Sequence, residues 1–73
     1  MKKLEIRKYM DGKYEVGVYK EDQPGVWRRI LAYRTDNANA AIRAASWFVE
    51  IEPVDELELI GPGGSHAVEK STQ

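Results

Sequence analysis

Residues 4–20 read LEIRKYMDGKYEVGVYK, and the way this stretch folds on itself decides the architecture. Leu4, Ile6 and Lys8 alternate with Glu5, Arg7 and Tyr9; Tyr14, Val16 and Val18 alternate with Glu15, Gly17 and Tyr19. Period-two alternation with β-branched and aromatic residues predicts two strands, each with one buried face. Asp11-Gly12 between them is a hairpin signal, because both residues tolerate the left-handed backbone of tight turns. A two-residue Asp11-Gly12 loop would set Ile6 against Gly17 and Leu4 against Tyr19, dividing the apolar residues between two faces. A three-residue loop, Met10-Asp11-Gly12, pairs Tyr9 with Lys13 and therefore Ile6 with Val16 and Leu4 with Val18. It also places Gly12 third in the loop, where a left-handed residue and a bulge are expected. Register follows the buried face, so the three-residue loop is the prediction.

Beyond this hairpin, Gln23-Pro24-Gly25-Val26 reads as a turn, with proline presetting one central residue and glycine accepting positive φ at the next. A third strand follows from about Val26 to Arg34. A tight Pro24-Gly25 hairpin places Val18 opposite Leu31 and Val16 opposite Tyr33, leaving Arg28, Ile30, Ala32 and Arg34 outside. A one-residue slip would instead expose Trp27, Arg29, Leu31 and Tyr33; the tight form is preferred. Thr35-Asp36-Asn37 offers two N-cap residues before an alanine-rich helix from Ala38 to about Ile51, which Pro53 ends. Ala38, Ala41, Ile42, Ala45 and Val49 form the stripe expected to lie on the sheet. A second stripe, Ala40, Ala44, Trp47 and Ile51, lies nearly opposite, with Phe48 between the two. The helix is thus apolar around more than half its circumference, more than one sheet requires. Val54–Ile60 predicts a short fourth strand whose acidic residues blunt an edge, with a helical turn from Asp55 as the competing reading. The expected fold is α+β: a three-stranded antiparallel meander packed on one α-helix, with a short C-terminal strand, in the order β-β-β-α-β. Residues 1–60 form the single domain, and 61–73 a flexible polar tail.

Composition narrows the chemistry. Seventy-three residues make one domain close to the lower limit for a self-sufficient core, and with no cysteine there is no disulfide or thiolate-bound zinc to reinforce it. That absence fits a reducing compartment. No apolar run approaches the roughly 20 residues of a membrane span. Charge interrupts Met1-Lys2-Lys3-Leu4-Glu5 before a signal-peptide core can begin, so a cytoplasmic protein is expected. Net charge is −1 but uneven: residues 1–46 carry ten Lys/Arg against six Asp/Glu, and residues 47–73 one against six. Such asymmetry can steer a partner or pair two copies head to tail, although small proteins often carry it without consequence.

Catalysis finds little support. Ser65 and His66, the lone histidine, are neighbours in the tail, where no rigid scaffold preorganises them. Gly61-Pro62-Gly63-Gly64 is followed by neither a Lys-Ser/Thr pair nor a helix start, so it does not read as a phosphate loop. Asp55, Glu56 and Glu58 lack calcium-loop spacing and read as a solvated acidic strand. The chain offers little room for a ligand pocket. A non-enzymatic protein without metal, cofactor or small-molecule substrate is expected.

Two surfaces remain. The stripe Ala40, Ala44, Trp47, Ile51 places a tryptophan among small residues, the composition of an interaction hot spot. Three occupants fit it: the chain's own C-terminal segment through Val54, Leu57 and Leu59, a second copy in a homodimer, or another protein. The sheet face away from the helix is expected to carry Lys3, Arg7, Tyr9, Tyr19, Arg28 and Arg34, with Glu5, Glu15 and Ile30 among them. Aromatic rings between arginines suit single-stranded nucleic acid, and cross-strand ion pairs on a solvated face explain the same residues. The leading expectation is an interaction or regulatory protein that binds another macromolecule through the face around Trp47. The alternative is nucleic-acid binding through Arg7, Tyr9, Tyr19, Arg28 and Arg34. The strand–strand–strand–helix order resembles small sheet-plus-helix DNA-binding domains and small phage-encoded regulators, a likeness of architecture that does not fix function.

Overall fold

The computed structural model describes residues 1–62 and the backbone of 66–70. Strands β1 (Lys2–Lys8), β2 (Tyr14–Gln23) and β3 (Val26–Thr35) form the meander, followed by helix α1 (Ala38–Ile51) and strands β4 (Glu56–Ile60) and β5 (His66–Lys70). The sheet order is β3-β2-β1-β4-β5, with β4 parallel to β1 and all other neighbours antiparallel. Helix α1 therefore carries the chain from the β3 edge across the meander to the far side of β1. The β-β-β-α-β order is as expected. The stretch from residue 61 onward, expected to be a tail, contributes β5. Its residues 63–65, which hold Gly63, Gly64 and Ser65, lie outside the described residues, as do 71–73 and the side chain of His66.

The first hairpin adopts the three-residue loop. Leu4 stands opposite Val18 and Ile6 opposite Val16. The Tyr9 N–H donates to the Lys13 carbonyl at 2.9 Å and the Gly12 N–H to the Tyr9 carbonyl at 3.0 Å. Gly12 sits at φ +84°, and the Asp11 carboxylate accepts the Lys13 N–H at 3.0 Å. With Val16 and Val18 fully buried and Leu4 nearly so, one face of the hairpin is committed to the core.

The second hairpin reaches its expected register by an unexpected route. Gln23 pairs with Val26 around Pro24-Gly25, and Gly25 takes φ +81°. Two residues have no partner across the β2–β3 ladder, Asp22 on β2 and Ile30 on β3. Each is a bulge that shifts the pairing by one, and because they lie on opposite strands the shifts cancel. Val18 therefore opposes Leu31 and Val16 opposes Tyr33 as predicted. Between the bulges, however, the faces are exchanged. Tyr19 pairs with Arg29 and Glu21 with Trp27, so Trp27 and Arg29 lie on the face away from the helix, while Arg28 pairs with Lys20 on the helix side. Ile30, expected outside, packs with Leu31 against the core.

Helix α1 starts where the cap chemistry places it. The Asn37 side-chain oxygen accepts the Ala40 N–H at 2.9 Å, and the Thr35 hydroxyl accepts the Asn37 N–H at 3.1 Å. At the other end the Glu52 N–H donates to the Phe48 carbonyl at 2.8 Å, and Pro53 follows. Glu52 and Asp55 tie this end to the start of β1: Lys2 Nζ meets Glu52 Oε2 at 2.6 Å, and the Lys2 N–H meets Asp55 Oδ2 at 2.9 Å. The lysine partner holds the Glu52 carboxyl below its ordinary range. The buried helix residues are Ala41, Ala45 and Phe48. Ile42, expected on the sheet-facing stripe, is 60% exposed. The two alanines, with no side chain beyond Cβ, and Phe48 form the face turned to the sheet. That rotation moves Ile42, about 100° from Ala41, to the flank. Val49, Val54 and Leu57 complete the core.

Segment 56–60 forms a strand rather than a helical turn, in register with β1 through Leu4–Leu57 and Ile6–Leu59. Lying between β1 and β5, it is not the exposed edge its acidic residues suggested. Glu58 instead meets Lys3 at 3.5 Å.

Because an L-residue at φ +84° is strained, Gly12→Ala is expected to destabilise the fold by about 1–2 kcal/mol. Urea unfolding measures it, and an unchanged midpoint would contradict the assigned loop.

Candidate protein-interaction surface

On helix α1 the second apolar stripe is present and open. Trp47 is 64% exposed and Ile51 49%, beside half-buried Ala40 and Ala44. At 100° per residue these four centre about a quarter turn from the Ala41–Ala45–Phe48 face. The segment considered as a cover lies elsewhere: Val54 and Leu57 join the core, and Leu59 is itself exposed. Among the described residues, nothing of the chain's own covers Trp47. The stripe is bordered on its solvent side by Arg43 and Glu50, both exposed and both without an ion pair among the described residues. The packing that buries Phe48 is thus what turns Trp47 and Ile51 outward, since all three belong to one rigid helix.

The opposite face of the sheet is a closed electrostatic mosaic. Glu5, 8% exposed, lies beside Gly17 across the β1–β2 ladder and takes the Arg7 guanidinium at 3.1 Å. The Tyr19 ring covers Gly17 so closely that a Cβ there would sit 3.1 Å from its Cε1. Lys3 Nζ lies 4.6 Å from the Trp27 ring centre and 5.8 Å from that of Tyr19. Glu15 gathers three partners: Arg34 at 3.6 Å, Arg29 at 3.8 Å and the Tyr9 hydroxyl, which donates to it at 3.1 Å. Arg34 also lies 5.6 Å from the centre of the Tyr9 ring. Arg7, Tyr9, Tyr19 and Arg34 therefore share this face as expected. Arg28 does not join them, being held by Asp22 at 2.8 Å near the second turn. The bulge at Ile30 brings Trp27 and Arg29 in its place. Alternation alone missed both, and no residue in 26–31 signals that bulge. Nearly every cation on this face is matched by a carboxylate, and the aromatic faces are occupied by the face's own cations.

Other clusters are smaller. Lys13, Arg34, Thr35 and Asp36 line an open depression beside the start of α1. Among the described residues no group of three His, Asp or Glu side chains converges as a metal site. No helix among them is long and apolar enough to cross a membrane. Comparison of the chain with protein families, with curated proteins and with solved structures finds no match.

Burial, and the hydrogen bond to Glu15 that favours the neutral phenol, hold Tyr9 above the ordinary tyrosine value. Glu15→Gln removes the negative charge, so Tyr9 is expected to titrate at lower pH than in the parent. An NMR pH titration of labelled tyrosine reads this directly; an unmoved Tyr9 would show that Glu15 does not hold it in solution.

Proposed function

We propose that this chain is a non-enzymatic protein-interaction domain that engages a protein partner, of its own or another kind, through the helix face around Trp47. The observation that carries the reading is the open position of Trp47 and Ile51 on a helix whose other apolar side already forms the core. Large apolar side chains beside small ones on a rigid element form an anchor that loses little conformational freedom on binding. Single exposed apolar residues are ordinary, and Met10 at the first hairpin tip is such a case. Trp47 and Ile51 differ because they adjoin one another along one helical stripe with Ala40 and Ala44 beside them.

Nucleic-acid binding by the sheet face is the weaker reading. Phosphate contacts need cations free to exchange their counterions, and here Arg7, Arg29 and Arg34 are engaged by Glu5 and Glu15. Stacking needs open aromatic faces, and Lys3 and Arg34 lie over those of Trp27 and Tyr9.

The experiment is affinity capture from nuclease-treated native lysate with the parent and Trp47→Asp as baits. Trp47 contributes little to the core, so the variant is expected to keep its fold by circular dichroism while losing at least one captured protein. Identical captured sets, with untagged copies of the chain supplied to the lysate and counted among the species captured, would refute the reading. Loss of every captured species on nuclease treatment would favour the sheet-face alternative.

A further inference from the structure

Given the interaction face around Trp47, on which this step rests, we infer that its occupant is a second copy of the same chain, with the two α1 helices packed antiparallel. The stripe is complementary to itself when reversed. Its members Ala40, Ala44, Trp47 and Ile51 are spaced four, three and four apart, symmetric about the point between Ala45 and Ser46. Reversing one helix about that point sets Ile51 level with the partner's Ala40 and Trp47 level with the partner's Ala44. Each large side chain then meets a small one, twice over, as a two-fold interface requires. Alanines at these positions allow the axes to approach to about 8 Å, near the lower limit of helix packing.

Charge follows the same symmetry. Arg43 and Glu50 lie on the solvent border of the stripe and have no ion-pair partner among the described residues. In the reversed pair Glu50 of one copy comes within about 3 Å, measured along the axis, of Arg43 of the other, at a rise of 1.5 Å per residue. Two ion pairs form, one on each side of the dyad. A parallel pairing would set Trp47 beside the partner's Trp47 and put the Arg43–Glu50 border of the two copies on opposite edges of the seam, where these charges do not meet.

The fold leaves room for this approach. The connection from β3 through α1 to β4 joins strands that run parallel, and α1 lies over β2 and β3; a right-handed crossover, the usual sense, would turn the Trp47 flank toward the β3 side. There the sheet ends, so a second copy reaches the helix without meeting β4 or β5. A contact confined to a helix of 14 residues falls below the area of a standard interface, about 1,200 Å² or more, so the dimer is expected to be reversible and micromolar.

Sedimentation velocity from low to high micromolar concentration tests the inference. The parent is expected to pass from monomer to dimer, and Trp47→Asp to stay monomeric. Arg43→Glu alone places like charges together and is expected to weaken association about tenfold. Arg43→Glu combined with Glu50→Arg restores the opposite-charge pairs and should recover parental affinity. These two positions are exposed, so the charge variants keep the fold and remain informative if Trp47→Asp does not. A parent that is monomeric at high micromolar concentration would overturn the second copy as occupant. So would a dimer indifferent to the charge reversal or not rescued by the double exchange. Trp47-dependent capture of a different protein by a monomeric parent would leave the interaction face standing and refute self-association alone.

Discussion

The pairing of Leu4 and Ile6 with Val18 and Val16 is the constraint on which the rest of this molecule depends. These side chains form one face only if the loop between them holds three residues, and that loop closes only if the third can take φ +84°. Once the face exists, everything else finds its place against it. Helix α1 lays Ala41, Ala45 and Phe48 on it, and β4 extends it through Leu57 beside Leu4. A register error of one residue would move each of these side chains to the solvent side and leave the helix nothing to bury. Few groups carry this load. A domain of 73 residues has about 4–11 kcal/mol of net stability, and each large apolar side chain fully buried contributes about 1.5–3 kcal/mol, before entropy opposes it.

How far this was readable from residues alone differs by element, for physical reasons. The first hairpin was legible because two apolar alternations and one glycine leave a single consistent register. The helix ends were legible from Asn37 and Pro53. The middle of β3 was not. Period-two reading assumes an unbroken ladder, and the bulges at Asp22 and Ile30 break it twice. Since the two cancel, alternation yields the pairs Val18–Leu31 and Val16–Tyr33 but puts Trp27, Arg28, Arg29 and Ile30 on the wrong faces. The rotation of α1 was likewise hidden. Alanine and isoleucine score alike as apolar, so pattern alone gives Ile42 a place on the sheet-facing side, which Ala41, Ala45 and Phe48 occupy. The stripe around Trp47 was identified, and its being open was not, because whether β4 folds over the helix or joins the sheet depends on long-range pairing with β1.

The two faces of the molecule manage their side chains in opposite ways. Away from the helix, a glycine at position 17 leaves a gap that Tyr19 fills, and Glu5 is nearly buried beside it. A carboxylate there is tolerated because Arg7 bonds to it, with Lys3 tying Glu58 alongside. Exposed ion pairs contribute little to stability individually, so what this mosaic supplies is a face on which most cations lie near a carboxylate, with Arg29 and Arg34 sharing Glu15.

The helix flank presents the contrary case. The chain has two tryptophans and one phenylalanine, and it places Phe48 in the core, Trp27 under a lysine and Trp47 in solvent. In a domain this small, leaving Trp47 and Ile51 outside withholds from folding side chains comparable to those that make the core. A polar residue at either position would leave the Ala41–Ala45–Phe48 contact untouched and improve solubility. The core does not account for these residues, and the proposed interaction face would bury them against a second surface. The proposed pairing with a second copy draws on the symmetric spacing of large and small side chains, with Arg43 and Glu50 placed to meet under the same reversal.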